Sequence, residues 1–195
     1  MYFQDRGIIL TRKDFKEKDL LISVYTEKYG KITLQSRGAK RVTSKLSGHL
    51  EPGSLSTLNW VSGKNIPQLT GAQLEDFFQV AKQDYQKSFF ILKILNLVDQ
   101  VTRDGLAEQK IFILLFKTLK ALEEENDLDL IFIVFGFKLL GLLGLNPSAQ
   151  FLATEKGSID FIIKKTLFEI QTHPEILKNK KKFLKILNNE FQQIF

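Results

Sequence analysis

No cysteine occurs among the 195 residues, which removes disulfides, thiolate nucleophiles and every cysteine-ligated zinc or iron–sulfur centre. Histidine is almost as scarce. His49 and His173 stand without the third close ligand that a zinc site requires, so no metal or other cofactor is expected. Phosphate-cradling glycine loops are missing too: there is no Walker loop, no G-x-G-x-x-G and no nucleophile elbow. The glycines of "GFKLLGLLG" fall inside a helical apolar run, where phosphate could not reach the backbone amides. The acidic "EEENDLD" does not place alternating oxygen ligands around a glycine, as a calcium loop does, and reads as a solvated link between helices. No nucleophile and base can be assembled from what is left, so the chain is not expected to be an enzyme.

Long hydrophobic runs are also wanting. The most apolar stretch, "LIFIVFGFKLLGLLGL" from Leu130 to Leu145, is shorter than the roughly 20 residues that cross a bilayer and carries Lys138 near its middle. It predicts a buried core helix rather than a membrane segment. The opening "MYFQDRGIIL" lacks the cationic start and sustained apolar run of a secretory signal, so a cytoplasmic location is expected.

What the chain does have is positive charge in one place. The net charge is +6, and the first fifty residues, with eleven Lys/Arg against five Asp/Glu, account for all of it. Between Lys28 and Glu51 no acid occurs, and "RGAKRVTSKLSGHLEPGS" (Arg37 to Ser54) combines four cations with three glycines. A localised excess of this kind suits a polyanion-binding face; a solvated surface is the alternative.

Two textures divide the chain. Up to about residue 76, short β-rich runs alternate with turn residues: "RGIILTR" (Arg6 to Arg12), "LLISVYT" (Leu20 to Thr26), "KITLQSR" (Lys31 to Arg37), "LSTLNWV" (Leu55 to Val61) and "IPQLTGAQLE" (Ile66 to Glu75). The second and third should form a hairpin through "EKYG", and the fourth and fifth another through "SGKN". Five strands in this order fit a small Greek-key barrel of the oligonucleotide-binding (OB) type, although a five-stranded SH3-like barrel gives the same pattern. From Phe77 onward the apolar period lengthens to that of helices, expected at Gln79 to Arg103, Ala107 to Glu125 and Leu128 to Leu145. Gly144 and Pro147 should end the third. Residues 148–162 look less regular, one or two short helices are expected after them, and His173 before Pro174 reads as a helix-entry residue. The fold class is therefore α+β, with an OB barrel over residues 1–78 and an all-α domain over 79–195.

Strand alternation places Lys31, Thr33, Gln35 and Arg37 on one side of the third strand and Ile32, Leu34 and Ser36 on the packed side. On its hairpin partner, Ile22 and Val24 join the packed side, leaving Ser23 and Tyr25 with the polar set. Tyr25 could stack a nucleotide base or lie flat on the barrel as an amphipathic edge residue. The loop that follows extends the charged surface with Lys40, Arg41 and Lys45, while Gly38 and Gly48 permit close backbone approach. Cations without acidic partners read phosphate, which is independent of sequence. The expected DNA-contacting set is Lys31, Arg37, Lys40, Arg41, Lys45 and Tyr25, carried by a backbone-tracking arm.

The stretch from Arg6 to Trp60 resembles the start of the bacterial RecO recombination mediators. The shared features are the R-G-I-[IV]-L start, E-K-D-L-L after a charged turn, T-E-x-x-G, and R-G-A-[KR]-R followed by S-x-L-x-G-x-L-x-P. "FKLLGLLGLNP" (Phe137 to Pro147) is similar to a later helix of the family that closes on glycine. The resemblance implies an OB barrel and a helical domain, binding of single- and double-stranded DNA, strand annealing, and no catalysis. It further implies help in loading the recombinase onto DNA coated by single-stranded-DNA-binding protein, with RecR and the acidic tail of that protein as partners. Lys138, Lys164 and Lys178 to Lys182 are the places where that tail could be sought. A protein–protein adaptor with incidental DNA affinity is the alternative. Many relatives carry a four-cysteine zinc module after the position of Pro147; the absence of cysteine excludes it here.

Overall fold

The structure, a computed structural model, describes residues 1–41, 44, 46–145 and 153–194. Five strands, β1 (Tyr2–Phe15), β2 (Asp19–Thr26), β3 (Gly30–Ser36), β4 (Leu55–Val61) and β5 (Gln68–Asp76), form a closed barrel in the order β1-β2-β3-β5-β4. β1 closes it by pairing twice, its first half with β4 (Tyr2↔Val61 through Ile8↔Leu55) and its second with β2 (Gly7↔Thr26 through Phe15↔Asp19). Gly7 lies where the two pairings overlap, and a Cβ there would run into Val24 Cγ1. A single parallel pairing, Gln35↔Gln68, joins β3 to β5. This connectivity is the OB fold. β1 begins four residues earlier than the apolar run suggests, because Tyr2, Phe3 and Gln4 find ladder partners on β4.

The barrel interior holds Ile9, Ile22, Val24, Leu34, Leu58 and Trp60, all nearly inaccessible to solvent. The long loop between β3 and β4 contributes Ala39 and Leu50 to the same core, with Leu46 packed against it. The loop expected as a backbone-tracking arm is thus anchored at Ala39, Leu46 and Leu50, and full burial of a leucine such as Leu50 stabilises by about 1.5–3 kcal/mol. A 3₁₀ turn, Ser47–His49, sits within it, and His49 Nδ1 accepts the Leu74 N–H at 3.2 Å.

Helices follow: α1 (Gln79–Gln83), α2 (Tyr85–Val101), α3 (Gln109–Glu124), α4 (Leu128–Leu142), α5 (Ala153–Lys164), α6 (Leu167–Gln171), α7 (Pro174–Lys178) and α8 (Lys180–Ile194). The single helix expected over Gln79 to Arg103 is broken at Asp84, which adopts an extended conformation and caps α2 by accepting the Lys87 N–H at 2.9 Å. Compactness divides the chain into Met1–Leu119, which holds the barrel with α1 and α2, and Lys120–Phe195.

Within the second unit, α4 is buried along nearly its whole length, from Leu130 to Phe137 and again at Leu139 and Leu140, as its apolar run predicts. No helix among the described residues is long and apolar enough to cross a membrane. Asp127, from the acidic stretch read as a solvated link, has two structural duties: it accepts the Leu130 N–H at 3.2 Å as the α4 cap and pairs with Lys180 at 2.7 Å. Gly144, at φ +73°, ends the helix in a Schellman arrangement, with Leu145 N–H returning to Leu140 O at 3.0 Å. The expected stop at Pro147 lies outside the described residues. Where irregular chain and short helices were expected, the described segment is helical from Ala153 and ends in the fifteen-residue α8. Phe183, Leu187 and Phe191 form the buried stripe of α8, and Leu187 and Phe191 pack on α4 at Gly136, where an added Cβ would meet both Leu187 methyls at 2.9 Å. His173 occupies the residue before α7, with Pro174 at its first turn.

Candidate nucleic-acid interface

The six residues singled out in the sequence fall into three groups. Alternation on β2 and β3 has the expected phase, since Ile22, Val24 and Leu34 are interior. The opposite face, however, is not open. Ser23 Oγ donates to Asp99 Oδ1 at 2.5 Å, and Lys31 Nζ pairs with the same carboxylate at 3.1 Å while donating to the backbone oxygens of Asp99 and, at 3.2 Å, Thr102. Tyr25 is fully buried and donates its hydroxyl to Glu108 O at 3.1 Å. Burial pushes its phenol up to about 12. The end of α2 and the segment leading to α3 therefore cover this face. Lys31 and Tyr25, expected on an exposed polar surface, hold those elements to the barrel instead; desolvation and saturated hydrogen bonding leave neither able to present itself to a ligand.

Arg37, Lys40 and Arg41 form the second group, and all three are exposed. They stand on the turns immediately after β3, whose course is set by Asp19. The Asp19 carboxylate accepts the Gly38 N–H at 2.9 Å and the Gln35 carboxamide at 2.7 Å, and Gly38 needs its lack of a side chain to hold φ at +66°. Those hydrogen bonds, the Gly38 amide first, hold the Asp19 carboxyl below its ordinary range, with Lys16 and Arg37 adding their charge. Gln68 then donates to Gln35 Oε1 at 2.9 Å, and Gln35 N–H to Pro67 O at 2.9 Å, tying in the end of the β4–β5 loop. Lys45, the third group, lies outside the described residues.

Sequence reasoning missed two cations. Lys16 and Lys18 occupy the β1–β2 turn, both exposed, and Lys40 N–H donates to Lys18 O at 3.1 Å. This backbone bond and the Asp19–Gly38 bond stitch the two turns side by side. Lys16, Lys18, Arg37, Lys40 and Arg41 consequently share one end of the barrel. The charged turn "KDFKEKD" was the available signal, but its alternating signs hid it. Three acids share the region: Asp19 is engaged as described, Glu17 is exposed, and Asp14 pairs with Lys40 at 2.6 Å. Asp14 is 74% exposed in that pair, and exposed ion pairs contribute about 0–1 kcal/mol, so a phosphate can displace the carboxylate. OB barrels meet oligonucleotides through the face of strands 2 and 3 and through the β1–β2 and β4–β5 loops; here that face is covered, and the β1–β2 turn carries Lys16 and Lys18.

The family model described as "Recombination protein O N terminal" matches residues 1–78, and "Recombination protein O C terminal" matches residues 82–156. The chain belongs to the RecO family. Relatives named DNA repair protein RecO include those of Syntrophomonas wolfei, 27% identical over 75% of this chain and 59% of that relative, and Alkaliphilus metalliredigens, 28% identical over 75% and 60%. The RecO of Enterococcus faecalis is 33% identical over 74% of this chain and 55% of its own length. The chain thus spans somewhat more than half the length of the curated RecO proteins it matches. The match to the N-terminal RecO model ends two residues after β5.

Proposed function

We propose that this RecO-family chain acts in recombinational DNA repair as a DNA-binding mediator, holding phosphates at the barrel end with Arg37, Lys40 and Arg41, joined by Lys16 and Lys18. Lys45 belongs to the same segment and to the same proposed set. The observation that carries the reading is the stitching of the β1–β2 turn to the turns after β3, which gathers five cations on short, backbone-anchored segments. Charge held this way neutralises polynucleotide phosphates at little conformational cost and has no means of selecting bases. Single and double strands are both bound, and screening their mutual repulsion lets complementary strands anneal. RecR and the acidic tail of single-stranded-DNA-binding protein are the proposed partners in loading the recombinase.

Anisotropy of a labelled single-stranded oligonucleotide across a salt series tests the assignment. About four phosphate contacts at the barrel end contribute close to −3 to the slope of log affinity against log salt. Replacing Arg37, Lys40 and Arg41 by alanine should remove roughly 2 from that slope; an unchanged slope rejects the site.

One observation favours a second reading, the adaptor. α2 leaves Tyr85, Phe89 and Leu92 exposed, at 87%, 59% and 51%, on a single helical stripe. An adaptor would capture single-stranded-DNA-binding protein while annealing bare complementary strands no faster than they anneal alone, which a fluorescence-quenching assay separates from mediation.

A further inference from the structure

Between Ile176 and Asn189 the chain has five lysines and no acid. This segment, the end of α7 and most of α8, lies beyond residue 156, where the second family match stops, and beyond anything the barrel end explains. The fold orients it. Phe183, Leu187 and Phe191 are buried, so the lysines on the other side of α8 are turned outward, and Lys178, Lys181 and Lys185 are all exposed. Lys181 and Lys185 are one helical turn apart, about 6 Å along the axis.

Their placement is also electrostatically adverse. Lys180, Lys181 and Lys182 fill the first turn of α8, which has no acid, and cations there oppose the helix dipole. Asp127 offsets Lys180 at 2.7 Å. Lys181 and Lys185 have no ion pair among the described residues, and an incoming anion would relieve both the dipole and their mutual repulsion.

We infer that the outward face of α7–α8, centred on Lys178, Lys181 and Lys185, is a second phosphate-binding surface for polynucleotide, in a different compact unit from the barrel end. Its charge density matches a backbone that presents one phosphate every few ångströms: Glu175, at the start of α7, is an exposed acid beside it, and none follows until Glu190. One chain then contacts nucleic acid through two surfaces, each independent of base sequence.

The test uses three full-length proteins: the wild type, a barrel-end variant (Arg37→Ala, Lys40→Ala, Arg41→Ala) and a helix-face variant (Lys178→Gln, Lys181→Gln, Lys185→Gln). Each is titrated with labelled oligothymidine over a salt series. The barrel-end variant should keep salt-dependent binding, and the helix-face variant should have a slope shallower than wild type by about 2. A helix-face variant indistinguishable from wild type overturns the inference. So does loss of binding to an acidic peptide with oligonucleotide binding unmoved, which would make the face a protein-docking surface. If the triple variant melts early, Lys181→Gln and Lys185→Gln singly should each shift the slope by about 0.7, and unchanged slopes overturn the inference equally. The two readings fail separately: a barrel-end variant that binds like wild type rejects the proposed site, whatever the helix face does.

Discussion

Tyr25 shows how one residue changes meaning with its surroundings. A base-stacking tyrosine should lose roughly 1–3 kcal/mol of DNA affinity when its ring is replaced by alanine. In this fold the ring is interior and its hydroxyl is satisfied by Glu108 O, so the informative change is Tyr25→Phe. It should cost about 1 kcal/mol of stability, by urea unfolding, and leave oligonucleotide affinity unmoved. Lys31→Met should likewise destabilise, by about 3 kcal/mol at most, because the Asp99 carboxylate would lose its charged partner. Lys82 makes a pH prediction. Desolvation lowers its ammonium to about 8 from 10.5, against the raising influence of Glu51 and Asp76, while its Nζ donates to Ser54 Oγ and sits 3.9 Å above the Phe77 ring. Between those two values the unfolded chain holds a proton that the folded chain has released, so stability should rise with pH through that window. Below about 8 both states are charged and the slope vanishes. Urea midpoints for wild type and Lys82→Met, compared from about pH 8 to about pH 9, below the range where the Tyr25 phenol of the unfolded chain titrates, check the sign: wild type should rise and the variant should not.

At the scale of elements, the β2–β3 turn is where barrel and helices meet. Gly30 has φ +67°, and the backbone of Leu106 and Ala107 lies directly against it. Beside it, Gly105 N–H donates to Lys31 O at 3.0 Å, and Lys31 and Asp104 form a parallel bridge. A methyl group at Gly30 meets backbone atoms rather than a yielding side chain and also strains φ. Gly30→Ala should therefore destabilise by roughly 2–4 kcal/mol in chemical denaturation and loosen the α2–α3 segment in hydrogen exchange. The same contact explains why alternation alone misjudged the neighbouring face. The hairpin, its register and its interior residues were all legible from period-two patterning and "EKYG". Occupation of the outer face depended on Asp99, Thr102 and Glu108, which lie 68 to 83 residues away in the chain. The β3–β4 loop was misjudged for a related reason. Its cations and glycines stand out in the sequence, whereas Ala39, Leu46 and Leu50, which hold it in place, are spaced too irregularly to read as an element.

For the molecule as a whole, the decisive quantity is where the charge goes. The positive excess belongs to the first fifty residues, yet part of it is spent internally: Lys31 on Asp99, and Arg12 on Glu51. Under the proposed function, what remains outward at the barrel end would contact backbone phosphate only. Affinities for oligothymidine and for mixed-sequence oligonucleotides of equal length should then agree within about threefold at a fixed salt concentration. A preference much larger than that would require a base-reading group, and Tyr25 is not placed to provide one.

Local physics carried a good deal by itself: the change from two-residue to helical periodicity, the positions of the five strands, the burial of α4 and the basic character of the β3–β4 loop. Each depends on neighbours in the chain, through steric alternation, capping or composition. Tertiary structure alone decided that Lys31 and Tyr25 face helices rather than solvent, and that Lys16 and Lys18 join Arg37, Lys40 and Arg41. A side chain's periodicity states which way it points, but only the element packed opposite determines whether water, or a phosphate, can reach it.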